Sequence, residues 1–234
     1  EYLDGPEVSV FALTDGQTVR ALLPAQDFKR VGDGDAGPNT GGMGAVASRQ
    51  LVSQEILAQI EKEIVRPTVD GLRAEGLPYR GFLYFGIMLT PTGPQVIEYN
   101  CRFGDPECQA VMPLVQGDLA AFCLAGANGE LRADLISFND GWSVCVILAS
   151  AGYPESSRNG DEISGLERIT AARVYHSGTK RTADGNWGTN GGRVLAVVAG
   201  GSTRQEAVTQ AHAAADLVEF DGLQRRRDIG ILNF

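Results

Sequence analysis

Cations are in short supply in this sequence. Twenty Lys and Arg stand against 29 Asp and Glu, a formal net charge of −9. A chain so acidic has no basic stripe with which to follow a phosphate backbone, so no nucleic-acid partner is expected. A nucleotide site stays open, because a few local cations and a metal suffice for a triphosphate. Cysteine is scarce too: Cys101, Cys108, Cys123 and Cys145 form no CxxC pair, and the two histidines, His176 and His212, make no cluster beside them. Zinc and a disulfide framework are therefore not expected. Reduced thiols and a cytoplasmic location are. No apolar run reaches the roughly 20 residues of a membrane-spanning helix, so no membrane partner is expected either.

What is present is enough for one large domain or two small ones: 234 residues, 43% of them hydrophobic. Glycine is abundant, with 30 residues clustered between ordered-looking segments, the mark of many tight loops. The chain opens with Glu1-Tyr2-Leu3-Asp4-Gly5 immediately before a strand pattern and is expected to begin inside a domain.

Along the chain, residues 7–13 and 18–23 predict two strands joined by a turn at Asp15-Gly16. Residues 26–46 read as a long loop of Gly, Asp and Asn, a length that points to function. Residues 53–65 predict a helix capped by Ser53, with Ile56, Leu57, Ile60 and Ile64 on one face and Pro67 ending or kinking it, although the pattern resumes toward Leu72. Strands are expected over 81–89 and 95–101 and a helix over 114–125. The pattern loosens over 128–141, which places a domain boundary at about 130, dividing the chain into 1–130 and 131–234. The second part predicts strands at 143–150, 173–176 and 193–199, then a helix opened by a Thr203/Glu206 capping box. Strands, hairpins and helices are mixed, so the expected class is α+β.

Three segments carry candidate chemistry. In the strand ending Glu98-Tyr99-Asn100, side chains alternate, so Glu98, Asn100 and, if the strand persists, Arg102 share one face. Ile97, Tyr99, Cys101 and Phe103 would form the other, core face. Glu98 and Asn100 offer hard oxygen donors suited to Mg²⁺, and Arg102 a bidentate phosphate partner. The competing reading is the solvated face of an edge strand. The run Gly37 to Gly44 either converges its N–H groups into an anion nest beside Lys29 and Arg30 or is a plain surface loop. Segments 176–180 and 189–193, each with glycine and a cation, either line a cleft or are hairpin turns. His212, inside an amphipathic helix, reads as structural.

Together these segments resemble the phosphoribosylamine–glycine ligase family of the ATP-grasp superfamily. The carriers are residues 1–9, 26–44, 84–89, 98–107 and 189–194, in the family's order over nearly the whole chain. The resemblance implies a partial ATP-grasp domain, an antiparallel sheet with helices, followed by a small α/β C-terminal domain. It implies that ATP phosphorylates glycine and that 5-phosphoribosylamine displaces the phosphate. On it, Glu98 and Asn100 would hold Mg²⁺ or Mn²⁺. Glu1 and Leu3 would lie at the adenine, and Glu7 near the ribose. Arg102 would face the transferred phosphoryl group, with Lys29 as a second catalytic cation. Asp27, Gly41, Gly42, Met43 and Asp105 would lie near the substrates.

Two departures stand out. Phe28 occupies a position where the family pattern has histidine. The family's N-terminal domain and lid, with a lysine for the ATP phosphates, are not in this chain, so the chain alone is expected to be incomplete for catalysis. The alternatives are a non-catalytic nucleotide-binding remnant, another ATP-grasp carboxylate–amine ligase, or one half of a split enzyme.

Overall fold

The computed structural model describes residues 2–231. In chain order the strands are β1 (Glu7–Thr14), β2 (Val19–Ala21), β3 (Ala25–Asp27), β4 (Arg30–Gly32), β5 (Ala36–Asn39) and β6 (Gly44–Ser48). Helices α1 (Gln54–Ile60) and α2 (Arg66–Ala74) follow, joined by a π turn at Glu61–Val65. Next come β7 (Gly81–Thr90), β8 (Gly93–Asn100), α3 (Glu107–Val111), β9 (Val115–Gly117), α4 (Leu119–Asn128) and β10 (Ile136–Phe138). The remainder is β11 (Trp142–Ala149), β12 (Glu162–Ile163), β13 (Arg173–His176), β14 (Thr179–Arg181), β15 (Trp187–Thr189), β16 (Arg193–Gly201) and α5 (Arg204–Ala215). The mixed α+β architecture, with antiparallel sheets and helices, is the one the sequence leads one to expect.

Two compact units form. The first comprises residues 1–26, 48–104 and 114–140, and the second 27–47, 105–113 and 141–234. In the first, β1 pairs antiparallel with β7, and β7 with β8, so Ser9, Gly86 and Glu98 make one row across the sheet and Phe11, Tyr84 and Asn100 the next. Opposed residues share a face. The opposite face carries Val10, Phe85 and Tyr99, and α2 meets it where Thr68 Oγ1 lies 3.3 Å from the Tyr99 hydroxyl. Helix α4, capped by the Asp118 carboxylate accepting from the Ala121 N–H at 2.8 Å, brings Gly126 against Leu13.

In the second unit the sheet order is β13-β16-β11-β6, with β16 antiparallel to both β13 and β11. Its core strands are near-continuous apolar runs, Val144–Ala149 and Val194–Ala199, all buried. Helix α5 buries Ala207, Val208, Ala211, Ala214 and Ala215. The capping box forms on its Thr203 side, where the hydroxyl accepts from the Glu206 N–H at 3.2 Å. The Glu206 carboxylate reaches back to accept from the Ser202 N–H at 2.8 Å.

Several expectations need correction. The long loop of 26–46 is mostly short strands, β3 to β6. Their glycines hid a β pattern too short to show periodicity. Of the two outcomes expected at Pro67, ending the helix does not occur, and the helix resumes as α2, as the pattern toward Leu72 suggests. The proline sits in the first turn of α2, and the wider π turn before it, in which the Arg66 N–H reaches the Glu61 carbonyl, accommodates a residue that has no N–H. Residues 115–117 are strand, and α4 begins only at Leu119. Strand β8 stops at Asn100, so the alternation does not carry to Arg102 or Phe103. Ile97, Tyr99 and Cys101 are exposed rather than core. Phe103 turns to the face of Glu98 and Asn100, where it stacks on Phe11 at 4.4 Å.

Candidate functional site

The first unit presents one polar sheet face. Glu7, Ser9, Glu98 and Asn100 all project from it, because β1, β7 and β8 are in register and a bulge opposite Gly86/Ile87 takes up Ile97 without disturbing the 98/100 alternation. Glu98 is exposed, while Asn100 and Glu7 are half-buried. Gly86 leaves room beside Glu98: a Cβ there would stand 3.0 Å from the Glu98 Cγ. Ser9 Oγ lies 3.1 Å from the Tyr84 hydroxyl in the floor of this face. Below it Phe11, Phe103 and Phe82 close the aromatic end. Arg102 lies past the strand, exposed, its Nη1 donating to the Phe103 carbonyl at 3.0 Å. Leu3 is half-buried ahead of β1, and Glu1 lies outside the described residues.

Two oxygen-bearing side chains on one face fit a hard divalent cation that takes its other ligands from water and phosphate. Among the described residues no cluster of three or more His, Cys, Asp or Glu offers a protein-only metal cage. The donor set therefore suits Mg²⁺ or Mn²⁺ and not zinc.

The second unit brings the other candidates together. Asp27, Lys29 and Gly41–Met43 lie on the segment running from β3 to β6, and Asp105 on the 105–113 segment. Arg193 ties them: its Nη1 donates to the Gly41 carbonyl at 2.6 Å and the Asp105 carbonyl at 2.9 Å, and stands 3.1 Å from the Asp105 carboxylate. Gly42, at φ +108°, has no space for a side chain, since a Cβ would come 2.4 Å from Pro106 Cδ and 2.7 Å from Asp27 Oδ1. The Lys29 carbonyl accepts from both the N–H and the hydroxyl of Thr40.

The glycine run does not form the open anion nest that its composition allows. The N–H of Gly41 donates to the Tyr153 hydroxyl at 3.0 Å, that of Gly42 to Thr40 Oγ1 at 2.9 Å, and that of Met43 to the Phe28 carbonyl at 2.8 Å. Met43 is fully buried. Burial, with Asp105 next, pushes the Cys145 thiol far above its usual range, and the same two causes push Cys108 up to about 11.

Three residues of this unit gave no sequence signal. Arg226 is fully buried and pairs with Asp35 at 2.6 Å and Asp228 at 2.7 Å, donates to the Arg30 carbonyl, and stacks over Phe28 at 5.1 Å. Phe28 thus forms the apolar wall of an arginine pocket. Asp228 accepts from the Gly34 N–H at 2.8 Å. Tyr153 holds Gly41. Apart from the Arg226–Asp228 pair, these partners lie over a hundred residues away in sequence, beyond any local pattern. Segment 189–193 contributes Arg193 to the loop, and segment 176–180 pairs with it as a hairpin partner, the Gly178 N–H donating to the Arg193 carbonyl at 2.9 Å, while His176 rests 4.2 Å from Trp187. His212 Nε2 meets the Ile229 carbonyl at 3.0 Å, a structural contact.

Two family models match this chain: the phosphoribosylglycinamide synthetase ATP-grasp (A) domain over residues 1–108 and the phosphoribosylglycinamide synthetase C domain over residues 143–232. The chain belongs to the phosphoribosylamine–glycine ligase family. It is 47% identical to the phosphoribosylamine–glycine ligase of Synechocystis over 98% of its own length and 56% of that protein's. The crystal structure of the phosphoribosylamine–glycine ligase of Thermotoga maritima superposes with a TM-score of 0.88 at 36% identity, again over 98% of this chain and 56% of that one. The biotin carboxylase domain of a thermophilic 2-oxoglutarate carboxylase, at 16% identity and a TM-score of 0.66, shares the fold. The chain spans about half the length of the family relatives it matches.

Proposed function

We propose that this chain is the C-terminal part of an ATP-dependent ligase that joins glycine to 5-phosphoribosylamine. The carrying observation is the sheet face that holds Glu7, Glu98 and Asn100 together in a chain matched by both family domains in order. In this reading ATP transfers its terminal phosphoryl group to the glycine carboxylate, releasing ADP. The amine of 5-phosphoribosylamine then attacks the acyl carbon, phosphate leaves, and glycinamide ribonucleotide remains. Glu98 and Asn100 hold Mg²⁺ or Mn²⁺, which neutralises phosphate charge when bound. Arg102 meets the transferred group, with Lys29 as a second cation. Glu1 and Leu3 border the adenine, and Glu7 the ribose.

Asp27, Gly41, Gly42, Met43 and Asp105 position the small-molecule substrates, Met43 indirectly, since its side chain is buried and its N–H and carbonyl hold the loop to Phe28 and Ile147. Arg193 acts on these residues by fixing the Gly41 and Asp105 carbonyls. The protein supplies orientation and charge rather than a covalent intermediate. Residues 1–130 and 131–234 are the proposed sequence domains. A cytoplasmic location goes with the unpaired state of all four thiols, and neither nucleic acid nor membrane enters the scheme. Among the described residues no helix is long and apolar enough to cross a membrane.

The test is ADP release from MgATP with glycine and freshly prepared phosphoribosylamine, by the chain alone and after addition of the amino-terminal half of a relative. Release only after addition supports the ligase. Binding of MgATP without release in either mixture supports a nucleotide-binding remnant. Release with bicarbonate or formate but not glycine assigns a different carboxylate–amine ligase.

A further inference from the structure

The first unit contains a cleft of about 300 Å³ that nothing in the proposed reaction uses. Val10 lines it, so it lies on the sheet face opposite Glu98 and Asn100. Its volume is at the lower end of the range for small-molecule sites, roughly 300–1,000 Å³. The floor is apolar: Leu22, Ile60 and Val65 are buried there. One wall is the π turn, a helical irregularity that recurs at functional sites.

The charges at its edge are not equivalent. Arg49 is ion-paired with Asp140 at 3.4 Å, and Glu61 with Arg66. Arg20 differs. Its guanidinium carbon lies over the Phe138 ring at 5.9 Å, and its Nε is buried with no hydrogen-bond partner among the described residues. A buried charged donor without an acceptor is costly, and a guanidinium fork matches a planar oxyanion better than any other group.

We propose that this cleft is a second ligand site, for a small carboxylate whose head meets Arg20 and whose apolar body lies against Leu22, Leu57 and Ile60. The assignment is independent of the ligase reading. Charge complementarity selects an anion, and the apolar floor selects a short hydrocarbon or aryl body over a sugar or a second charge.

The experiment uses the 234-residue chain, with calorimetry and residue-resolved NMR shifts against hexanoate, hexyl phosphate, hexylammonium and 1-hexanol. Hexanoate is expected to bind at least about tenfold more tightly than hexanol or hexylammonium, a gap of about 1.4 kcal/mol, with shifts at Leu22, Leu57 and Ile60. Arg20→Met is expected to remove that preference and Arg20→Lys to keep part of it. Ala58→Phe, on an exposed helix position lining the cleft, is expected to block binding with Arg20 intact, so a misfolded Arg20 variant does not leave the question open. Equal affinity for hexanol and hexanoate, or an unchanged Arg20→Met, overturns the proposal. Tighter binding of hexyl phosphate overturns the carboxylate assignment. Loss of hexanoate binding on adding a relative's amino-terminal half shows the cleft to be a seat for protein, and overturns it too.

Discussion

At the residue scale, the strongest expectations concern two side chains of opposite character. Glu98 is exposed on its strand, so its loss costs little in folding and much in binding. Glu98→Ala is expected to weaken Mg²⁺-dependent nucleotide binding by about tenfold or more, roughly 1.4 kcal/mol, with an unchanged urea midpoint. Unchanged affinity in a metal titration removes Glu98 from the site. Arg226 is the reverse case, buried among Asp35, Asp228 and the ring of Phe28. Arg226→Ala is expected to destabilise the second unit by about 3 kcal/mol or more, because it strands a carboxylate that has lost its partner.

The pH dependence follows from Asp228. Burial raises its pKa, but Arg226 and the Gly34 N–H outweigh burial and hold it below the ordinary carboxylate value. Its contribution is therefore present above the unfolded value, about 3.9, and is lost as pH falls through the lower folded value. The gap in urea midpoint between wild type and Arg226→Ala should narrow as pH drops below about 4. A gap that stays constant to pH 2 counts against the pairing. Glu98 and Asn100 were legible in sequence because strand alternation is a local rule. Arg226 was not, since its partners at 28, 30 and 35 lie almost two hundred residues away.

At the element scale, local signals held where a cap or a period spoke and failed where tertiary context decided. Ser53 and Thr203 are N-caps as their chemistry requires. Thr203→Ala is expected to cost about 1 kcal/mol, read as a shift in the thermal midpoint. A shift absent from both thermal and urea curves means that Glu206 and Ser202 hold the helix start alone. Pro67 interrupts the regular helix without ending it: the π turn absorbs the missing N–H, and the apolar pattern toward Leu72 continues as α2. The 26–46 segment misled because short strands with few apolar side chains carry no period of their own. Gly42 shows how tightly that segment is built. Gly42→Ala is expected to separate Asp27 from Pro106, and proton exchange at the Met43 N–H should rise at least several-fold. Unaltered exchange shows that the contact yields without cost.

At the scale of the whole molecule, the acidic balance and the scattered cysteines argue against a nucleic-acid partner and a zinc site. They say nothing of how the chain distributes itself between its two cores. The first core takes residues 1–26, 48–104 and 114–140, while the second takes the stretches between and after them. A boundary sought as a single loose stretch, such as 128–141, finds only the last of these passages. The consequence reaches beyond folding to inheritance. Because each unit is assembled from separated stretches of one chain, no single break in the coding sequence releases either intact, and a crossover near its middle leaves both with missing strands. Neither unit can therefore be carried intact into another protein as one contiguous segment.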